Sequence, residues 1–176
     1  MRTTLMNLPE NGGLKMINLE TMCQTLKILW VKRYLDQFNK GKWKLFFQQE
    51  LGKLGGEMIF KCNFKSTEPF IFDKIKIIFW EEVLASWSKL NFHHPADTNT
   101  VLNQYLWFNT FIRIENKPIY YKLWVTNKIM TIADLCDKDG YFMSFDGFQA
   151  KYNISPSSYL KFYGILAAIP KEWKFL

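Results

Sequence analysis

Residues 18–38 read NLETMCQTLKILWVKRYLDQF. Leu19, Met22, Leu26, Leu29/Trp30, Tyr34 and Phe38 recur at three-to-four spacing, the mark of a helix with one apolar stripe. Asn18 is a residue type that caps helix N-termini, so the spacing predicts a helix from Asn18 to about Phe38. Lys27, Lys32 and Arg33 lie largely off the centre of the stripe. The same period returns along the chain. Trp43, Phe46/Phe47, Leu51 and Leu54 predict a second helix over about 42–54, ended by Gly55-Gly56. Ile75, Phe79, Val83 and Trp87 predict a third, opened by Asp73 and running to about Leu90. Leu102, Tyr105, Leu106 and Phe108 predict a shorter one over roughly 99–108.

The connecting stretches fit this plan. Residues 57–65, EMIFKCNFK, alternate only loosely and read as a short strand or an extended connector. NFHHPADTNT is a loop, and Asn116-Lys117-Pro118 is a turn whose Pro118 suits the first position of a helix through Trp124. Thr131 can cap the short TIADLC helix, and Ser144 another that carries Phe145, Phe148 and Tyr152 on one face. Ser155-Pro156 is a cap and first-position pair for a final helix that stops at Pro170. No repeat and no low-complexity linker interrupts the series. The expected fold is mainly α: an irregular bundle of short and medium helices over 1–176, with at most one short β-hairpin or extended connector.

Composition narrows the function classes. A chain of 176 residues suits one domain. At 48% apolar and 18% aromatic it can build a sizeable core, which excludes a disordered profile. Lys and Arg number 23 against 16 Asp and Glu, a formal charge of +7 that suits a polyanionic partner such as nucleic acid or an anionic membrane surface. Cys23, Cys62 and Cys136 lie far apart with no CxxC, so neither a disulfide framework nor a zinc site is expected. His93-His94, just before Pro95, read as loop residues. No apolar run approaches the roughly 20 residues that span a bilayer. MRTTLMNLPENGG lacks the apolar core of a signal peptide, so an intracellular, reducing setting is expected, in cytoplasm or nucleus, with no membrane partner.

Asp137-Lys138-Asp139-Gly140 resembles the centre of a calcium loop. With Gly140 at the sixth position, however, Leu135 falls on the first ligand position and cannot ligate, and Asp146 on the twelfth is one methylene short of glutamate. A turn with positive φ at Gly140 fits better. Gly12-Gly13 lack the following G-K-[ST] of a phosphate loop. No nucleophile stands in a recognisable Ser, Cys or His motif. Ile132-Ala133-Asp134-Leu135 carries one carboxylate where a two-metal polymerase site requires a close pair. The chain therefore reads as non-catalytic, with no metal, no cofactor and no small-molecule substrate.

Seven stretches, taken in order, nevertheless form a pattern: RTTLMN, ENGGLKMINLE, LKILWVKRYLD, FWEEVLASWSKLNF, VLNQYLWFNTFIRIENKPIYYKLW, IADLCDKDGYFMSFDGFQAKYNI and YLKFYGILAAIPKEW. Together they resemble the post-catalytic region of non-LTR (LINE-type) retrotransposon polyproteins, from the thumb of the reverse transcriptase onward, over about Arg2 to Trp173. The resemblance implies a thumb-like part over about 12–56 and a post-thumb helical part over about 57–176. It also implies a fragment, because the family's endonuclease, its paired polymerase aspartates and its downstream Cys/His segment have no counterpart here. The thumb of such enzymes holds RNA or RNA–DNA duplex by its backbone. Lys15, Lys27, Lys32 and Arg33, with Lys40, Lys42 and Lys44 beside Trp43, are the candidates for that contact. The alternatives are a helical protein-interaction or scaffold domain with a merely solvated basic face, and a non-functional translated relic.

Overall fold

The computed structural model describes residues 9–11 and 18–174. The fold is mainly helical, with one short antiparallel hairpin. Its α-helices are α1 (Leu19–Leu35), α2 (Trp43–Gly52), α3 (Pro69–Phe72), α4 (Ile78–Asn91), α5 (Thr98–Leu102), α6 (Lys122–Thr126), α7 (Phe145–Tyr152) and α8 (Tyr159–Ala168). Tight 3-10 turns at Gly56–Lys61, Ile132–Leu135, Pro156–Ser158 and Lys171–Lys174 join them. In the hairpin, β1 (Arg113–Ile114) pairs with β2 (Lys117–Pro118).

Several local predictions hold. The Asn18 side chain accepts from the amides of Glu20 and Thr21, and Ser144 accepts from Gly147. Thr131 and Asp134 form a reciprocal capping box, in which the Asp134 carboxylate accepts from the Thr131 amide. The DKDG stretch is a turn: Asp137 Oδ1 accepts from the amides of Asp139 and Tyr141, each at 2.9 Å, and Gly140 takes φ +87°.

Other elements differ for identifiable reasons. Residues 56–61 wind into a 3-10 turn rather than a strand, entered through Gly55 and Gly56, both at φ +83°. Asp73 ends α3 instead of opening the next helix. The chain bends there because Lys76 gives its amide to the buried Glu50 carboxylate, so α4 starts only at Ile78. α5 stops at Leu102, since the Leu106 and Phe108 amides are taken by the carbonyls of Met130 and Ile119. Pro118 sits in β2, not in a helix, because Glu115 and Asn116 adopt positive φ and turn the hairpin there.

The largest correction concerns the side of α1 that packs. The stripe read from the sequence is largely outside: Leu19 is 72% exposed, and Met22, Leu26 and Leu29 are exposed too. The buried or half-buried positions are Gln24, Lys27, Ile28, Trp30, Val31 and Tyr34, the side on which Lys27 and Trp30 meet α4 and Tyr34 meets Phe47 and Phe60. Lys27 is tolerated on that side because its Nζ lies 3.1 Å from the Glu82 carboxylate of α4.

One contiguous core runs through the chain. Its N-terminal half is a cluster of rings. Trp30 meets Trp43 edge-on at 4.9 Å, Trp80 stacks on Phe47 at 4.2 Å, and Tyr34 and Phe60 close against Phe47. Its C-terminal half gathers Trp107, Trp124, Phe148 and Phe162, all buried.

Glu50 locks the second helix onto this frame. Its Oε2 accepts from Lys53 Nζ at 2.7 Å and from the Lys76 amide at 2.9 Å. Burial pushes the carboxyl pKa up, but the Lys53 ammonium and the two donated hydrogen bonds outweigh it and hold the group below the ordinary glutamate value. A depressed folded pKa means stability that is present above the unfolded value and lost as pH falls through the folded one. Glu50→Gln is therefore expected to lower the urea midpoint at neutral pH and to make its decline in acid shallower. Parallel declines in the two proteins would contradict this.

Candidate nucleic-acid interface

Five of the seven predicted cations, Lys32, Arg33, Lys40, Lys42 and Lys44, lie around one corner, where α1 hands over to α2 through residues 36–42. Lys32 and Arg33 occupy the last turn of α1, where free carbonyls favour positive charge. Asp36 then caps the helix and turns the chain. Its amide bonds the Lys32 carbonyl, and its Oδ1 accepts from the Phe38 amide at 2.9 Å. Asn39 repeats the device, accepting from the Gly41 amide at 3.0 Å. Gly41 lies beneath the Trp43 indole, where a Cβ would stand 2.3 Å from Nε1, so only glycine fits. Lys42 and Trp43 then start α2, and Trp43 anchors the corner in the ring cluster.

The seven candidates divide. Lys15 lies outside the described residues. Lys27 is paired with Glu82. Lys44 donates to the Asp36 carbonyl and lies 5.9 Å from the Tyr34 ring centroid. Arg33 is exposed, with its guanidinium 5.4 Å from the Trp30 ring centroid. Lys32, Lys40 and Lys42 are exposed, and among the described residues their amines form no ion pair or hydrogen bond. Phe38 was expected on the helical stripe. It instead stands at the tip of the corner, 94% exposed. The signal that could have placed it is the pair Asp36 and Asn39, residues that bond their own backbone two positions on and so break helices.

Away from this corner, the side chains that could do chemistry, His93, Cys62, Cys136 and Asp134, are taken up by the fold. A cleft of about 980 Å³ opens beside Phe60, Trp87, Tyr105 and Met130, with Asn99 and Asn103 at its rim. His93 borders it, but both ring nitrogens are engaged. Nδ1 lies 2.9 Å from the Asn91 carbonyl and Nε2 2.9 Å from Gln104 Nε2. The donor on Gln104 assigns the hydrogen to Nδ1 and leaves no nitrogen to act as a base. Burial pushes the Cys62 and Cys136 thiols up, which disfavours a nucleophilic thiolate. Burial, with Glu57 alongside, pushes Tyr34 up to about 12. Asp134 accepts from the Met130 and Thr131 amides and the Thr131 hydroxyl, so its carboxylate serves the turn. Among the described residues no three His, Cys, Asp or Glu side chains gather as a metal ion would need, and no helix is long and apolar enough to cross a membrane. No protein-family model matches the chain, and no curated protein or solved structure matches it either.

Proposed function

We propose that the chain is a non-catalytic, intracellular nucleic-acid-binding module. It holds the phosphate backbone of RNA or RNA–DNA duplex at the α1–α2 corner, the role that the resemblance to a LINE-type reverse transcriptase thumb implies. The observation that supports the reading is the gathering of Lys32, Lys40 and Lys42, exposed and without a partner among the described residues, in a chain of formal charge +7. Phosphate contact by such groups is independent of sequence and falls steeply with salt.

The test is fluorescence anisotropy with an RNA–DNA duplex across a salt series. Each phosphate neutralised contributes about 0.9 to the slope of log affinity against log salt. The triple variant Lys32→Gln, Lys40→Gln, Lys42→Gln is expected to bind weakly, with the slope reduced by about 2–3. Wild-type slope and affinity in that variant, or no binding by the parent at low salt, would overturn the reading.

A second reading rests on a different observation. The exposed row Leu19, Met22, Leu26 and Leu29 presents apolar surface of the kind that protein partners cover. A helical interaction domain would keep its fold and show no salt-dependent duplex binding. A translated relic would show no cooperative melt.

A further inference from the structure

We propose that Phe38 is a stacking platform for an unpaired base, which makes the corner prefer single-stranded nucleic acid to duplex. This rests on the nucleic-acid reading above and adds the form of the partner. The ring is 94% exposed, so it contributes almost nothing to the core. The Phe38 backbone is also held in place. Asp36 Oδ1 receives the Phe38 amide, the Asn39 amide bonds the Asp36 carbonyl at 3.3 Å, and Asn39 Oδ1 receives the Gly41 amide. Trp43 covers Gly41 on the core side. A loop fixed this way loses little entropy when its ring is covered.

Charge complementarity selects the partner. Lys40 and Lys42 follow the ring by two and four residues, and Lys32 lies in the helical turn before it. A ring flanked by cations can take a base face while the adjoining phosphates meet the amines. A duplex offers no free face. Leu45 and Phe46, also exposed on α2, would join Phe38 in any insertion into an anionic bilayer. That alternative would carry the exposed amide side chain of Gln37 toward hydrocarbon at a desolvation cost, whereas a base edge can hydrogen-bond it.

The experiment measures anisotropy with oligoadenylate, an abasic strand of equal length and an RNA–DNA duplex, for the full chain and for Phe38→Ala and Phe38→Trp. A thermal melt checks that each variant folds. Phe38→Ala is expected to weaken oligoadenylate binding about 5- to 150-fold, the range carried by one base–aromatic stack, while Phe38→Trp retains it. Abasic-strand and duplex binding, and the salt slope, stay unchanged. Equal oligoadenylate affinity in Phe38→Ala and the parent overturns the proposal. If the triple lysine variant still loses binding in that case, the backbone reading survives alone. Absence of any binding by the parent at low salt overturns both. Loss of Phe38→Ala from phosphatidylserine vesicles, with RNA binding unaltered, overturns it in favour of a membrane surface.

Discussion

Replacing Phe47 by alanine is expected to lower the unfolding free energy by about 3–5 kcal/mol. Phe47 is fully buried. Its ring stacks on Trp80 at 4.2 Å with 14° between planes, meets Tyr34 edge-on at 5.0 Å and touches Phe60 at 5.9 Å. Three elements converge on it: α1 through Tyr34, the 3-10 turn through Phe60, and α4 through Trp80. Removing the ring deletes its own transfer free energy and leaves a cavity that rigid neighbouring rings cannot fill. A domain of this size is stable by about 5–15 kcal/mol, so the loss is a large fraction of the whole. Phe47→Leu keeps most of the volume and is expected to cost about 1.5 kcal/mol or less. Urea titration followed by tryptophan fluorescence gives both values. A Phe47→Ala midpoint equal to that of the parent would mean that the ring cluster does not carry the N-terminal half. Because Trp43 joins the same cluster and covers Gly41, the variant is also expected to loosen the corner that displays Lys40, Lys42 and Phe38.

What was legible in the sequence is what short-range chemistry determines. Asn18 and Ser144 cap as expected because each needs only an amide two or three residues away, and the Thr131–Asp134 box closes over the same short span. The DKDG turn was readable for the same reason. The inward side of α1 was not. That helix is apolar on two sides, with Leu19, Met22, Leu26 and Leu29 on one and Ile28, Val31 and Tyr34 on another. Periodicity cannot choose between them, and α4 chose the second. One short hairpin was within the expected fold, but its place was hidden because Glu115 and Asn116 carry none of the Asn-Gly signature of a two-residue turn. The delayed start of α4 depends on Glu50, 26 residues before the amide it receives.

The candidate interface divides along the same line. That the chain is basic, and that Lys40, Lys42 and Lys44 cluster, is visible in the residues themselves. Which amines stay unpaired is not, since Lys27 is matched by Glu82, more than fifty positions away, and Lys44 by a carbonyl of the preceding loop. Phe38 left the helical stripe because the helix ends at Leu35 and Asp36 takes the Phe38 amide into a turn, which Asn39 continues beyond it.

Gln104→Leu is expected to cost about 2–5 kcal/mol, because it removes the centre of a buried amide network. Gln104 Oε1 accepts from Asn63 Nδ2 at 2.8 Å and from Asn109 Nδ2 at 3.4 Å, and its Nε2 donates to His93 Nε2 and to the Thr100 carbonyl. Asn63 and Asn109 are buried, and each has another acceptor for its second hydrogen, the carbonyls of His93 and Tyr105. Leucine would match the side chain's bulk but leave one N–H on each asparagine facing apolar surroundings, at about 1–3 kcal/mol per group. The network also joins distant segments. Asn63 Oδ1 receives the His93 amide, and its carbonyl receives that of Thr110. The variant is therefore expected to speed hydrogen exchange at His93 and Thr110 more than at Val31 or Phe47, whose protection rests on the ring cluster. Stability within about 0.5 kcal/mol of the parent would show that the two asparagines find new acceptors. A uniform rise in exchange would show that the network acts only through global stability. A cycle pairing Gln104→Leu with Asn63→Leu separates these cases. The doubly substituted chain is expected to lose less than the sum of the single variants, since the orphaned Asn63 amide that Gln104→Leu creates disappears with its partner.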